Sequence, residues 1–131
     1  MGPLRLLLDT CAWIWLVSEP ARLGAEVARA IDDPSSEIHL SDSSVWELCL
    51  KWQAGKIQLP QPPSLWVEEQ SRTWGVKALS IERRHLYRVS ELPAHHRDPF
   101  DRLLIAQAIE ERLILATPDA NFRSYPVAVL W

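Results

Sequence analysis

Short apolar runs alternate along the chain with longer segments in which apolar residues recur every three or four positions. The first run, at 4–8, is too short for a helix and predicts a buried strand. Further strands are predicted at 37–40, 76–79, 113–116 and 127–130, and helices at 11–17, 21–31, 42–53, 64–74, 80–90 and 99–112. Because strands alternate with helices, we expect parallel strand pairing and an α/β sandwich.

Several helices carry starting signals. Pro20 opens the helix at 21–31, Ser41 or Asp42 caps the one that follows, and Ser80 caps the helix at 80–90. The segment HRDPFDRLLIAQA at 96–108 carries several helix-start signals together. Asp98 precedes Pro99, which suits the first helical position, so Asp98 is predicted to be the N-cap and Asp101 the third helical residue. An acid in the first turn favours the positive end of the helix, so this segment alone is explained by capping.

Three acids are predicted to share one edge of the sheet. Asp9 ends the first strand, Asp119 follows the fourth strand, and Asp101 lies in the first turn of the helix that leads to that strand. Ligands of open parallel sheets bind beyond the carboxyl ends of the strands. Each acid alone has a structural explanation, since Asp9 can cap a helix and TPDANF is typical of a turn. Their shared placement favours a site.

Glu47 is ambiguous in the sequence. Its helix has an apolar stripe at Val45, Leu48, Cys49 and Trp52, with Glu47 nearly opposite. The periodicity indicates a solvated face, but an acid that faces a charged cleft would have the same spacing.

The composition indicates one globular domain over residues 1–131, because 47% of the residues are hydrophobic. The net charge of -3 argues mildly against a nucleic-acid binder, but it decides little, because four acids committed to a metal site would leave the rest of the chain slightly positive. The sequence shows no signal peptide and no membrane-length apolar segment, and it has two cysteines, Cys11 and Cys49. We therefore expect a cytoplasmic protein with reduced thiols. Of the seven tryptophans, Trp13, Trp15, Trp46 and Trp52 are candidates for core packing or for a partner groove.

Four motifs in order, LLLDT, SSVWEL, DPFDRLLIAQA and TPDANF, resemble those of PIN domains, and in particular VapC-type toxins of toxin–antitoxin pairs. The resemblance spans nearly the whole chain. It implies a three-layer α/β/α sandwich with a mostly parallel sheet of four to five strands. It also implies a metal-dependent endoribonuclease that is a homodimer and is inhibited by a small antitoxin.

By position in these motifs, the catalytic and metal-binding acids would be Asp9, Glu47, Asp101 and Asp119. Asp98 and Thr117 are outer-shell candidates. Oxygen ligands suit hard ions, so one or two Mg²⁺ or Mn²⁺ ions are expected, which would activate a water for phosphodiester hydrolysis. The adjacent His95 and His96 lack the usual spacing of zinc ligands. The candidate RNA-binding residues are Lys51, Lys56, Arg97, Arg102 and Arg123.

Two alternatives stay open. LLLDT also suggests a haloacid-dehalogenase-like phosphatase, but that chemistry needs a second aspartate at position 11, where this chain has Cys11. The other is a non-catalytic PIN-like module that binds nucleic acid or protein. The presence of all four acids argues against it, and metal titration beside an RNA cleavage assay would discriminate.

Overall fold

The computed structural model of the chain describes residues 3–95 and 98–131. Its strands are β1 (Arg5–Leu8), β2 (Glu37–Ser41), β3 (Val76–Leu79), β4 (Ile114–Ala116) and β5 (Val129–Leu130). They form one sheet in the order β3-β2-β1-β4-β5, and every neighbouring pair is parallel. The predicted parallel sheet is therefore confirmed.

Helices cover both faces of this sheet. They are α1 (Thr10–Ser18), α2 (Ala25–Asp32), α3 (Asp42–Gln53), α4 (Pro63–Trp74), α5 (Arg83–Glu91) and α6 (Pro99–Glu111). Successive residues of β1 point to opposite faces. Leu8 belongs to a core with residues of α1 to α4, whereas Leu7 belongs to a second core with residues of α6. Two cores on opposite faces confirm the three-layer α/β/α architecture. None of these helices is long and apolar enough to cross a membrane.

The structure corrects two of the predicted helices. The helix predicted at 21–31 is broken into a 3-10 turn (Pro20–Arg22) and α2, with extended backbone at Leu23 and Gly24 between them. The packing at this break requires a glycine, because a Cβ on Gly24 would lie 2.3 Å from the main-chain carbonyl carbon of Trp131.

The second correction concerns α5, which begins at Arg83 with Glu82 as its N-cap and not at the predicted Ser80 cap. The Glu82 N–H donates to Nδ1 of His85 over 3.0 Å, which completes a capping box. The carbonyl of Ser80 instead accepts a hydrogen bond from the Gln107 side chain of α6. A further 3-10 helix, Ala120–Ser124, was not predicted.

The strand register decides where the site can form. Leu8, the last residue of β1, pairs with Leu40 of β2 on one side and with Ala116 of β4 on the other. From β1 the chain continues to β2 and β3 on one side, and it later crosses to β4 and β5 on the other side, so the carboxyl ends of β1 and β4 mark a topological switch point. The Asp9 N–H continues this ladder by donating to the Ala116 carbonyl over 3.1 Å.

Candidate active site

Asp9 is the N-cap of α1 and is almost fully buried. Its Oδ1 accepts the Ala12 N–H at 2.7 Å and the Cys11 thiol at 3.2 Å. Burial raises the pKa of Asp9, and hydrogen bonds from Thr117, Ala12 and Cys11 oppose that rise. The capping role and a role in the site coexist, since the cap fixes the carboxylate at the end of β1.

Thr117 links the first acid to the last. It is buried directly beyond β4, and its side chain hydrogen-bonds to the Asp9 carboxylate. Its Oγ1 also accepts the Asp119 N–H at 3.2 Å. Asp119 in turn caps the 3-10 helix that follows, because its side chain accepts the Asn121 N–H at 2.9 Å. The TPDANF segment is thus a turn that also aims a carboxylate at the switch point.

Asp101 lies in the first turn of α6. Asp98 is the N-cap of this helix, as predicted, and its carboxylate accepts the N–H groups of Phe100 at 2.8 Å and of Asp101 at 3.4 Å. Burial, and then the charges of Asp98 and Glu47, are the main causes that raise the pKa of Asp101 to about 7. Like charges that crowd a half-buried carboxyl disfavour its ionised form. Asp98 itself is exposed and acts as a cap.

Glu47 faces the other three acids from α3. Its Oε1 accepts the Thr10 hydroxyl at 2.6 Å, and its Oε2 lies 3.4 Å from Nζ of Lys51. The side chain is 16% exposed. The solvated position indicated by periodicity was therefore wrong, and the alternative, an acid that faces a charged cleft, describes its place.

The reason lies in which face of α3 is buried. Ser43, Ser44 and Leu48 are buried, whereas Trp46 and Trp52 are exposed. The predicted stripe is therefore buried in part, since Leu48 is buried and Val45 packs against the core, whereas Trp52 is exposed. The buried face also extends to the small side chains of Ser43 and Ser44, which are one helical turn from Glu47, and apolar periodicity does not count serines as buried positions.

All four predicted acids line one cavity of about 180 Å³. Its wall consists of Asp9, Thr10, Cys11, Glu47, Lys51, Asp101, Pro118, Asp119 and Phe122. They come from α1, α3, α6 and the segment after β4, so no short stretch of sequence contains the site. Asp98 is absent from this wall, and Thr117 lies behind it as a partner of two of the acids.

Thr10 and Cys11, the first two residues of α1, also belong to the site, although no motif in the sequence predicted it. Thr10 is buried and hydrogen-bonds to Glu47, and Cys11 hydrogen-bonds to Asp9. Burial and the neighbouring Asp9 carboxylate raise the pKa of the Cys11 thiol to about 12. Their place directly after Asp9 was the available signal, because the first turn of a helix capped by a site residue lies beside that site.

The predicted RNA-binding residues have different surroundings. Lys51 lines the cavity, and Lys56 and Arg123 are exposed. Arg102 donates to the carbonyls at and beyond the end of α5, at 2.8–2.9 Å for the closest two, so its guanidinium holds the loop. Arg97 lies outside the described residues.

The histidines adjacent to α6 also differ. His95 is exposed, and its ring packs edge-on against Tyr125, with the ring centroids 5.2 Å apart. His96 lies outside the described residues.

A second group of potential ligand atoms, in Glu82, His85 and Glu111, was not predicted. His85 is fully buried, with Nδ1 accepting the Glu82 N–H and Nε2 lying 2.9 Å from Oε2 of Glu111. Arg84 contacts both glutamates and supplies a positive charge there. Glu111 is at the opposite end of α6 from Asp101, about 15 Å along the helix axis. These ion pairs and hydrogen bonds join the start of α5 to the end of α6, so the group has a structural role.

An apolar groove of about 410 Å³ lies between α3, α5 and α6. Trp46 on α3, 57% exposed, and Leu86 on α5, 49% exposed, are among its walls. Trp13, by contrast, is buried and packs edge-on against Trp66, so it serves the core. Core packing is thus confirmed for Trp13, whereas Trp46 is exposed and its role at a partner surface stays a prediction.

Comparisons with known proteins agree with this architecture. A family model of the PIN domain matches residues 6–128. The chain is 32% identical over 123 residues to Ribonuclease VapC22 of Mycobacterium tuberculosis, which covers 92% of this chain and 91% of that protein. The fold is similar to VapBC2 from Rickettsia felis bound to a promoter DNA fragment, with a TM-score of 0.72, 13% identity and coverage of 98% and 99%. It is also similar to DNA-bound VapBC from Salmonella typhimurium, with a TM-score of 0.73, 18% identity and 97% coverage of both chains. The chain belongs to the PIN domain family.

Proposed function

We propose that this protein is a metal-dependent endoribonuclease and the toxin of a toxin–antitoxin pair. The observation that carries the proposal is the convergence of Asp9, Glu47, Asp101 and Asp119 on one cavity. Their mutual repulsion contributes to the raised pKa of Asp101, at about 7. An acid cluster of this kind is costly by itself, and a bound cation removes the cost.

The donor set fits a hard divalent ion. The four acids offer only carboxylate oxygens, which suit Mg²⁺ or Mn²⁺ better than Zn²⁺. Asp9 and Asp101 would hold the ion directly, and Glu47 and Asp119 directly or through water. One or two ions are compatible with four carboxylates. When bound, the ion would supply Lewis-acid activation of water and neutralise charge on the phosphodiester.

The chain's own residues would position the reactants. Thr10 holds Glu47, and Thr117 holds both Asp9 and the turn that carries Asp119. Side chains fixed in this way lose little freedom when they bind, which is the benefit of a preorganised site. A carboxylate beside the attacking water can take up its proton as a general base.

RNA is the proposed substrate because a relative that covers most of this chain is named a ribonuclease. Lys51 at the cavity, with Lys56 and Arg123 on the exposed surface, would contact backbone phosphates. Arg102 has a structural role in this proposal, since backbone carbonyls already engage its guanidinium.

The proposed protein partner is a small antitoxin, since the structural neighbours are VapBC complexes. An exposed apolar groove is typical of protein contacts, and Trp46 is an aromatic anchor within it. The homodimer and the single domain over residues 1–131 stay predictions. The cytoplasmic location also stays a prediction. The free thiols of Cys11 and Cys49 are consistent with it.

The test combines RNA cleavage with metal binding. Asp9→Asn and Asp101→Asn should each abolish Mg²⁺-dependent cleavage of a mixed-sequence RNA, and EDTA should abolish it in the wild type. Asn can replace Asp as an N-cap, so Asp9→Asn should stay folded. Asp42→Asn, in the first turn of α3 but outside the cavity, is the matched control.

Circular dichroism should show that Asp9→Asn and Asp101→Asn are folded. Full cleavage activity in either folded variant would refute the assignment of that acid to the active site. Calorimetric Mn²⁺ binding without cleavage of any RNA would favour the non-catalytic binding module.

A further inference from the structure

We propose that Lys51 is an internal cation that competes with the metal for Glu47. In the metal-free cavity it neutralises Glu47, and it thereby lowers the affinity of the site for the ion. This inference rests on the proposed function, because it concerns the same four acids.

The two oxygens of Glu47 have different partners. Oε1 accepts the Thr10 hydroxyl at 2.6 Å, whereas Oε2 lies 3.4 Å from Nζ of Lys51. A hard ion that uses Oε2 would compete with the ammonium group for the negative charge of that oxygen, while Thr10 can keep its hydrogen bond to Oε1. One partner orients the carboxylate and the other competes for it.

The charge balance of the cavity makes this competition matter. Its wall carries four carboxylates, and Lys51 is the one cation among the described residues that line it. A positive charge at this place also repels an incoming divalent ion directly. Both effects have the same sign, so the loss of the ammonium group should tighten metal binding.

The Lys51 side chain can move away from Glu47 when an ion binds, whereas the Thr10 side chain is held beside Glu47. The lysine side chain is 44% exposed and has a long flexible stem, so it can turn toward solvent or toward a substrate phosphate. Thr10 is buried and short, with little freedom to move away from Glu47. The simpler explanation of the Lys51 contact is an ordinary helix pair, since Glu and Lys four residues apart stabilise a helix slightly.

Mn²⁺ affinity separates these explanations. Lys51→Met removes the charge and keeps the length, and Lys56→Met removes the same charge from the exposed segment after α3. We expect Lys51→Met to bind Mn²⁺ about two- to fivefold more tightly than the wild type in an electron paramagnetic resonance titration. That range follows from the coupling typical of partly exposed ion pairs. The gain should shrink as KCl is raised, because salt screens exposed charges.

Thr10 supplies a readout of opposite sign. Thr10→Val should weaken Mn²⁺ binding by about tenfold, as is typical for loss of an outer hydrogen bond to a metal ligand. Thr10→Ser keeps the hydroxyl and should bind Mn²⁺ as tightly as the wild type. Lys51→Gln, which keeps a polar end, is a second variant in case Lys51→Met folds poorly, with folding checked by thermal melting in EDTA.

The outcomes are distinguishable. Wild-type protein that binds no Mn²⁺ would refute the proposed function, and this inference with it. If the wild type binds Mn²⁺ but Lys51→Met and Lys51→Gln bind no more tightly than Lys56→Met, only the inference is refuted. A lower melting temperature in EDTA with unchanged Mn²⁺ affinity would also overturn it, since that is the result of a mere helix pair.

Discussion

Asp101→Asn should stabilise the metal-free protein while it abolishes metal binding. The wild-type carboxyl is half-buried beside other acids, and its pKa is raised from 3.8 to about 7. Because the folded state then binds the proton more tightly than the unfolded chain, wild-type stability falls as the pH rises from about 4 to about 7. The asparagine amide loses no proton in this pH range and stays neutral, so the variant escapes this decline.

The expected gain can be worked from that pKa. The rise from 3.8 to about 7 corresponds to a ceiling of about 4 kcal/mol. Solvent screens a partly exposed carboxyl, which reduces this to about 1–2 kcal/mol. The lost attraction between Asp101 and the positive end of α6 removes about 0.3–1 kcal/mol of it. A net gain of about 1 kcal/mol remains, which is about 3–5 °C in Tm for a chain of this size.

The assay is thermal unfolding in EDTA at pH 4, 6 and 8, followed by circular dichroism. The Tm difference between Asp101→Asn and wild type should be close to zero at pH 4 and reach its full value at pH 8. Asp42→Asn removes an acid from the first turn of α3, where Asp42 is exposed, so its Tm at pH 8 should fall slightly. At pH 8 the change in Tm relative to the wild type should therefore be positive for Asp101→Asn and negative for Asp42→Asn.

Mn²⁺ should reverse the order of wild type and Asp101→Asn. A ligand that binds only the folded state stabilises it, by about 2.7 kcal/mol at a hundredfold excess over Kd. The wild type should gain from Mn²⁺ and the variant should not. A variant that is less stable than the wild type in EDTA at pH 8, or equal to it at every pH, would refute the crowding of acids as the cause.

Two further predictions concern the surroundings of the cavity. Cys11 should stay unmodified by iodoacetamide at pH 8, because its pKa of about 12 leaves little thiolate, and Asp9→Asn should speed its alkylation as measured by mass spectrometry. Trp13→Ala should lower the free energy of unfolding by about 3–5 kcal/mol in urea titrations, since Trp13 is 1% exposed and packs against Trp66. A loss below about 1 kcal/mol would contradict the assignment of Trp13 to the core.

The sequence by itself determined the succession of strands and helices. The apolar run that became β1 and the Asp98-Pro99 start of α6 depend on interactions within a few residues, and both are where the pattern predicted them. The order of the four acids along the chain was also readable. The need for a glycine at position 24 was not readable, because it comes from close packing against Trp131, more than a hundred residues away in the sequence.

Only the tertiary structure decided which acids meet and what surrounds them. From the sequence, Glu47 was readable as a solvated residue, but the packing of α1 and α3 places the Thr10 hydroxyl 2.6 Å from its carboxylate. The pKa of Asp101 likewise depends on burial and on charges from four other acids, two of them more than fifty residues away in sequence. Local sequence fixes local hydrogen bonds, whereas burial and charge proximity belong to the folded arrangement of separate segments. The electrostatics of this cavity could therefore not be read from any one motif.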